Sequence, residues 1–224
     1  MYIMSPKSFP LLFLILILAL LPGVVKPDPD PLQDYCIGDT IKPQSFFANG
    51  APCLDPSLVL PSHFTTSALT EQGNTANMFG FNLTLTSTVN LPGANTQGLT
   101  MARVNLAANG IVPLHSHPRA SEVTICLQGS ILVGFVNTSN YLYTQNLRQG
   151  DSFVFPKGLI HFLYNVDAMN PALAVSGLSS QNPGAQIASL AAFASKPAIP
   201  DDVLKKSFQI SGQDMATIRK HLGG

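Results

Sequence analysis

Short runs of branched and aromatic residues recur along the chain from Gly98 onward, and turn-forming segments such as "ANG", "NTSN" and "PKG" separate them. Strands this closely spaced, with no helical pattern between them, predict an antiparallel sandwich or closed barrel rather than alternating strand and helix units. The runs are GLTMARVNLA, SEVTICLQ, SILVGFV, YLYTQNL, SFVF, HFLYNV and ALAVSGL. The pattern therefore predicts an all-β fold of the jelly-roll type.

The hydrophobic pattern changes after "SSQNPG", and we expect residues 184–224 to form a helical C-terminal extension. Ser211 and Asp214 have the spacing of a capping box, which marks the start of a helix. The apolar residues of this last helix fall on one face: Met215, Ile218 and Leu222. We expect that face to pack on the barrel or to dock on a neighbouring subunit.

An unbroken apolar run extends from Leu11 to Leu21 and ends at a Pro-Gly pair. A helix of that length rises about 16 Å, whereas a bilayer core takes roughly 20 residues. We therefore interpret residues 1–25 as a secretory signal peptide and residues 26–224 as a single mature domain that does not span a membrane.

Secretion determines how the cysteines and the N-x-S/T triplets are interpreted. Cys36 and Cys53 lie in a stretch rich in Pro, Gly and Asp, so in an oxidising compartment we predict a disulfide between them. Cys126, in an alternating run, is predicted to be a buried free thiol. Asn82 and Asn137 are predicted glycosylation sites, and Asn137 lies in a predicted turn; a chain of this length carries one or two such triplets by chance.

Charged residues are scarce, with 12 Lys and Arg against 12 Asp and Glu among 224 residues. This balance gives no basic surface for nucleic acid. With 46% hydrophobic residues, the low charge also indicates that part of the mature surface is buried in an oligomer. The expected partners are neutral molecules, small anions or further copies of the chain.

The segment "GIVPLHSHPRASEVTICLQG" places two histidines and a glutamate close together. His115 and His117 project from one face if they lie on a strand, and a turn at Pro118 can return Glu122 beside them. His161, which follows a Pro-x-Gly turn, offers a third nitrogen. Three imidazoles and one carboxylate without a thiolate suit an octahedral divalent ion, and the ligand types alone admit manganese, iron, copper, nickel or zinc.

Two sets of fixed positions resemble the two motifs of the cupin superfamily and, in detail, the boxes of the plant germins. The matching positions are Gly110, His115, His117, Glu122 and Gly129 in the first box, and Gly150, Pro156, Gly158, His161 and Asn165 in the second. "DPDPLQDYC", "SQNPG", the early cysteine pair and the helical tail also resemble germin-like proteins, so the resemblance covers nearly the whole mature chain. It implies a cupin barrel, a manganese ion held by the three histidines and the glutamate, and assembly as a hexamer, a trimer of dimers.

The resemblance also implies a place in the apoplast or cell wall, a role in plant defence and two alternative functions. Superoxide dismutation, which is described for germin-like proteins, needs a redox metal, an open position for a small anion, and protons. The alternative is a non-enzymatic receptor, storage protein or structural wall protein with a structural metal.

Oxalate oxidation, the best-known germin activity, is disfavoured. It uses two asparagines at positions where this chain has Ala102 and Val112. A dicarboxylate in an apolar pocket needs those donors, and each missing hydrogen bond costs on the order of 1 to 3 kcal/mol.

Overall fold

The computed structural model describes residues 33–40 and 50–223, and the predicted signal peptide lies outside them. The strands are β1 Phe81–Leu85, β2 Thr100–Leu106, β3 Ile111–Ser116, β4 Glu122–Gln128, β5 Ile131–Val136, β6 Leu142–Leu147, β7 Ser152–Phe155, β8 His161–Asn165, β9 Ala172–Leu178 and β10 Gln186–Ile187. The helices are α1 Ala188–Phe193, α2 Asp201–Phe208 and α3 Gly212–Leu222, and short 3-10 turns lie at Pro56–Leu58, Pro61–Phe64 and Pro92–Ala94.

The strands form two five-stranded antiparallel sheets that enclose one core. One sheet has the order β1-β2-β9-β4-β7 and the other has the order β10-β3-β8-β5-β6, so consecutive strands such as β3 and β4 lie in different sheets. All seven predicted runs form strands, and the predicted jelly-roll fold is confirmed. Two strands were missed. Strand β1 is a single short run that alternates with polar Asn82 and Thr84, and β10 is a two-residue strand at the start of the segment predicted to be helical.

The core follows the two-residue period of the strands. Along β8 and β9 every second residue is buried. The buried apolar residues between the sheets are Val104, Leu106, Val112, Cys126, Ile131, Val133, Leu147, Phe155, Leu163, Ala172 and Ala174. Cys126 is thus a buried free thiol, as predicted.

Strand β3 carries a one-residue irregularity that decides which of its side chains face the core. Val112 pairs with Leu163 of β8, and His115 pairs with His161, so three steps along β3 match two along β8. An extra residue of this kind moves the following side chains to the other face. Pro113 lies within the irregularity, where its missing N–H weakens the ladder least. As a result His115 points inward.

The three helices follow β10, which pairs with β3 at Ser116 and His115. The predicted capping box is present, because the Ser211 hydroxyl accepts from the Asp214 N–H at 3.1 Å and the Asp214 carboxylate accepts from the Ser211 N–H at 3.2 Å. The apolar face of α3 packs inside this extension, a location we did not predict. It joins a small core whose buried members are Phe193, Leu204 and Met215, with Ile218 and Leu222 packed against them.

A disulfide between Cys36 and Cys53 closes a loop within the N-terminal segment, as predicted. The buried Asn95 amide supports it, since its Nδ2 donates to the carbonyl of Ala51 at 2.9 Å. Within residues 33–40 and 50–223, no helix has the length and apolar character needed to cross a membrane.

Candidate metal centre

The structure brings together all four residues predicted as ligands. One ligand atom from each of His115, His117, Glu122 and His161 lies within 4.8 Å of the others. All four residues are buried, with 2 to 6% of their surface exposed. His115 and His161 lie on paired strands of one sheet, whereas Glu122 begins β4 in the opposite sheet. The turn that crosses between the sheets carries His117.

Each histidine ring is oriented by one backbone carbonyl. The pairs are His115 Nδ1 to Pro113 O at 2.7 Å, His117 Nδ1 to Gly184 O at 2.5 Å and His161 Nδ1 to Leu159 O at 2.9 Å. A carbonyl oxygen only accepts hydrogen bonds, so each Nδ1 carries the ring proton. Each Nε2 therefore presents a lone pair toward the centre of the site, as is typical of metal-binding histidines.

The two carboxylate oxygens of Glu122 have different contacts: one is hydrogen-bonded to a neighbouring side chain, and the other faces the centre of the site. Its Oε1 accepts a hydrogen bond from the Thr124 hydroxyl at 2.8 Å, and that hydroxyl lies 2.6 Å from the hydroxyl of Ser176. Its Oε2 lies 3.0 Å from Nε2 of His117 and 3.4 Å from Nε2 of His161. With the ring protons on Nδ1 and the rings neutral, these contacts join electron-rich atoms, and they become favourable only when a positive charge, from a proton or a metal ion, lies between them.

This arrangement fits a cation. Among the described residues, Glu122 Oε2 and His161 Nε2 are buried polar atoms without a hydrogen-bond partner. A buried anionic oxygen without a partner is costly, and a metal ion compensates for it. Three imidazole nitrogens and one carboxylate oxygen suit a divalent ion of the first transition row.

The charge states of the site agree with this interpretation. Burial, with the neighbouring His161 ring, lowers the pKa of His115 to about 4, so its imidazole is neutral near pH 7. Burial opposes the charge of Glu122, but contacts with His117 and His161 outweigh it and hold the pKa of that carboxyl well below its usual range. Burial also lowers the pKa of His117, but Glu122 outweighs it and raises that pKa. Near pH 7 the site therefore combines a neutral His115 ring with an ionised Glu122 carboxylate, the forms in which both groups bind a cation.

A cavity of about 80 Å³ adjoins the four polar residues. Three of those residues, His115, His117 and Glu122, line it, and its other walls are apolar: Phe81, Leu83, Leu85, Ala102, Val104, Val112, Leu163, Leu178, Ala185 and Ile187. Ala102 and Val112 are both among these apolar residues. The apolar walls of the cavity contribute no side-chain hydrogen-bond donor to a ligand.

Several neighbours of the site were not predicted. Thr124 lies two residues after Glu122 on β4, so the same alternation that placed Glu122 inward could have identified it. Phe155 stacks on His161 with ring centroids 4.4 Å apart. Gly184 contacts His117 from 67 residues away along the chain, and no local pattern indicates that contact.

The other predicted residues lie away from the centre of the site. Asn165 closes a turn, since its Nδ2 donates to the carbonyls of Ala107 and Asn170 at 2.8 Å each. Asn82 lies on β1, and its side chain packs closely against Gly73, since a Cβ at Gly73 would come within 1.7 Å of the Asn82 Oδ1. Asn137 lies in the turn between β5 and β6.

Comparison with known proteins identifies the family of this chain. A family model described as Cupin matches residues 67–216. Germin-like protein subfamily 1 member 1 of Arabidopsis thaliana is 57% identical over 216 residues, which cover 96% of this chain and 100% of the relative. The chain belongs to the germin-like proteins of the cupin family. Germin-like protein 3-1 of Oryza sativa subsp. japonica is 53% identical, with coverage of 94% of this chain and 96% of that relative.

Solved structures agree with this membership. A structure of oxalate oxidase superposes with a TM-score of 0.84 at 37% identity, covering 88% of this germin-like chain and 99% of the other. Peruvianin-I, described as a cysteine peptidase from Thevetia peruviana latex, superposes with a TM-score of 0.67 at 39% identity, covering 71% and 97%. Members with similar folds thus carry different activities, so the function has to be argued from the site.

Proposed function

We propose that this germin-like protein holds one manganese ion at His115, His117, Glu122 and His161 and dismutates superoxide. The observation that supports the metal is the meeting of Nε2 lone pairs with the unpartnered Oε2 of Glu122 in a buried space. The choice of manganese rests on the resemblance to germins, since these ligand types also accept other divalent ions.

The cavity suits a small anion as the substrate. A bound manganese ion supplies one-electron redox chemistry, and the overall reaction converts two superoxide ions and two protons into O2 and H2O2. The four ligands hold the site, and the apolar walls limit access to small species. A diatomic anion needs no further hydrogen-bond donor from those walls, so their composition does not oppose this reaction.

The activities of the two structural neighbours fit these residues less well. Oxalate would need donors where Ala102 and Val112 line the cavity, and the hydrogen bonds it lost to water would not be replaced. A cysteine peptidase would need a reactive thiol. Of the three cysteines, two form a disulfide and Cys126 is fully buried, and burial raises the pKa of its thiol.

The deciding experiment compares two histidine variants of the manganese-loaded protein. His117→Ala removes a proposed ligand, whereas His221→Ala removes an exposed histidine near the end of α3 and serves as the matched control. We expect the wild type and His221→Ala to dismutate superoxide and His117→Ala to lose the activity together with its metal. Dismutation that survives in His117→Ala would remove the site from the reaction.

A second candidate is a receptor for a small apolar ligand, with a metal that serves structure. The ten apolar residues that line the cavity favour it. Bound manganese without any dismutation in the wild type would support this function over the first.

We propose that the protein is secreted to the apoplast or cell wall, that it assembles as a hexamer, and that the H2O2 it releases contributes to plant defence.

Asn137 is the better glycosylation site, because it lies in a turn and uses only its Oδ1 in bonds to the N–H groups of Ser139 and Tyr141. Asn82, by contrast, is half-buried on β1. Light scattering at two concentrations tests the hexamer, and a clean monomer would contradict it. Glycopeptide mapping tests the two asparagines, with modification of Asn137 expected and exclusive modification of Asn82 contradicting the preference.

A further inference from the structure

The ligand His117 is held differently from the other two histidines. The Nδ1 atoms of His115 and His161 donate to carbonyls two residues earlier on the same segment. The Nδ1 of His117 donates instead to Gly184, 67 residues away. His117 also follows the last residue of β3, so its backbone is outside the sheet. Its orientation therefore depends on a remote turn being held in place.

Arg119 holds that turn, which comprises residues 182–184. Its Nε donates to the backbone carbonyl of Asn182 at 2.6 Å, and its Nη2 donates to the Oδ1 of Asn182 at 2.9 Å. Its backbone N–H donates to the carbonyl of Pro183 at 3.1 Å. A planar guanidinium makes such a two-pronged contact, whereas a lysine ammonium does not match its geometry.

The same guanidinium lies directly against Gly184. Gly184 has a φ of +68°, and a Cβ at this position would lie 3.0 Å from Nη2 of Arg119. The positive φ favours glycine at this position, and a Cβ there would also crowd the arginine. The carbonyl that accepts the hydrogen bond from His117 thus belongs to a residue that packs directly against the Arg119 side chain.

We propose that Arg119 is a positioning residue for the metal site, and this inference rests on the proposed function. It fixes the turn at residues 182–184 so that the Gly184 carbonyl keeps the ring proton of His117 on Nδ1 and its Nε2 toward the metal. Arg119 is exposed, and contacts at exposed positions contribute little to folding stability. The effect of Arg119 is therefore expected at the ligand rather than in the stability of the fold.

The test combines metal affinity with the tautomer of His117. The manganese affinity of Arg119→Ala, Arg119→Lys and Gly184→Ala is measured by competition with a chelator, with Arg148→Ala as the control for loss of an exposed arginine. We expect the three site variants to bind manganese about 10 to 100-fold more weakly, which is the usual effect of losing a contact that orients a ligand. The control is expected to match the wild type. Full affinity in Arg119→Lys would overturn the need for the two-pronged contact.

The tautomer is read from the 15N shifts of the His117 ring in the metal-free protein, at a pH high enough for that ring to be neutral. We expect Nδ1–H in the wild type and a mixture of tautomers in Arg119→Ala, and an unchanged ring in that variant would overturn the inference. This readout separates the two proposals, because a wild type that binds no metal contradicts the proposed function while the tautomer still tests Arg119. If Arg119→Ala does not fold, Asn182→Ala replaces it, because this variant removes only the 2.9 Å hydrogen bond between the two side chains. A smaller change of the His117 tautomer in the same direction supports the inference, and an unchanged tautomer overturns it.

Discussion

At the scale of single residues, each of the four proposed ligands has a second polar atom that is hydrogen-bonded elsewhere. Nδ1 of every ligand histidine is bonded to a carbonyl, and Oε1 of Glu122 is bonded to Thr124. These contacts leave Nε2 and Oε2 atoms facing a common point. Loss of a contact of this kind typically lowers metal affinity by about 10 to 100-fold.

Thr124→Val tests whether the hydrogen bond to Oε1 orients the Glu122 carboxylate. Valine keeps the shape of the buried side chain but removes the hydroxyl that holds Oε1, so Glu122 can rotate away from the metal. We expect manganese affinity to fall about 10 to 100-fold. Chelator competition measures it, and Thr144→Val, at an exposed position on β6, is the control. Equal affinity in Thr124→Val and the wild type would contradict the assigned role.

The four residues that meet at the candidate site were predictable from local sequence, but the contacts that orient them were only partly so. The spacing of His115 and His117 and the strand period that places Glu122 and Cys126 inward are visible in one segment. Thr124 follows the same period and could have been found. The contact of Gly184 with His117 depends on how two distant segments meet in the folded chain, and a strand period carries no information about that.

At the scale of secondary structure elements, the irregularity in β3 decides the site. The strands themselves were predictable, since their alternation and turns are local. The extra residue between Val112 and His115 was not predicted, because it is defined only against the register of β8. The sequence likewise indicated a helical extension but not that α3 would pack against α1 and α2.

Deletion of Leu114 tests the role of this irregularity. In the deletion variant His115 follows Val112 by two residues instead of three, so simple alternation alone keeps it inward and metal binding is expected to survive. Leu114→Ala keeps the extra residue and is the matched control, since Leu114 is 49% exposed. Circular dichroism establishes whether the deletion variant is folded. A folded deletion variant that no longer binds metal, beside a Leu114→Ala variant that does, would contradict this role.

The cap of α3 gives a prediction at the same scale that is independent of the metal. Ser211→Ala removes the hydroxyl that accepts from the Asp214 N–H, and such a loss costs about 1 kcal/mol of unfolding free energy. Denaturant unfolding measures this cost, with Ser207→Ala on the exposed surface of α2 as the control. Manganese affinity should stay unchanged, since α3 is not part of the site. No change in unfolding free energy would show that the cap contributes nothing.

At the scale of the whole molecule, the proposed metal connects the two sheets. His115 and His161 belong to one sheet and Glu122 to the other, so a bound ion joins both layers of the barrel. A ligand that binds only the folded state stabilises it by about 2.7 kcal/mol when present at 100 times its dissociation constant. Removing the metal is therefore expected to loosen the barrel as a unit.

Thermal unfolding with and without a chelator measures this effect. We expect chelation to lower the melting temperature of the wild type and to leave that of His161→Ala unchanged, because the variant lacks the site. The unfolded chain exposes the same histidines without organising them, so the shift reports on the folded site. A chelator shift of equal size in both proteins would place the stabilising metal elsewhere.

The most direct test of the central claim is the metal content of the purified protein after loading with manganese. Elemental analysis should find close to one manganese ion per chain in the wild type and very little in Glu122→Gln, in which an uncharged amide replaces the anionic oxygen. A wild type without metal, or equal manganese in both proteins, would contradict the account of the site.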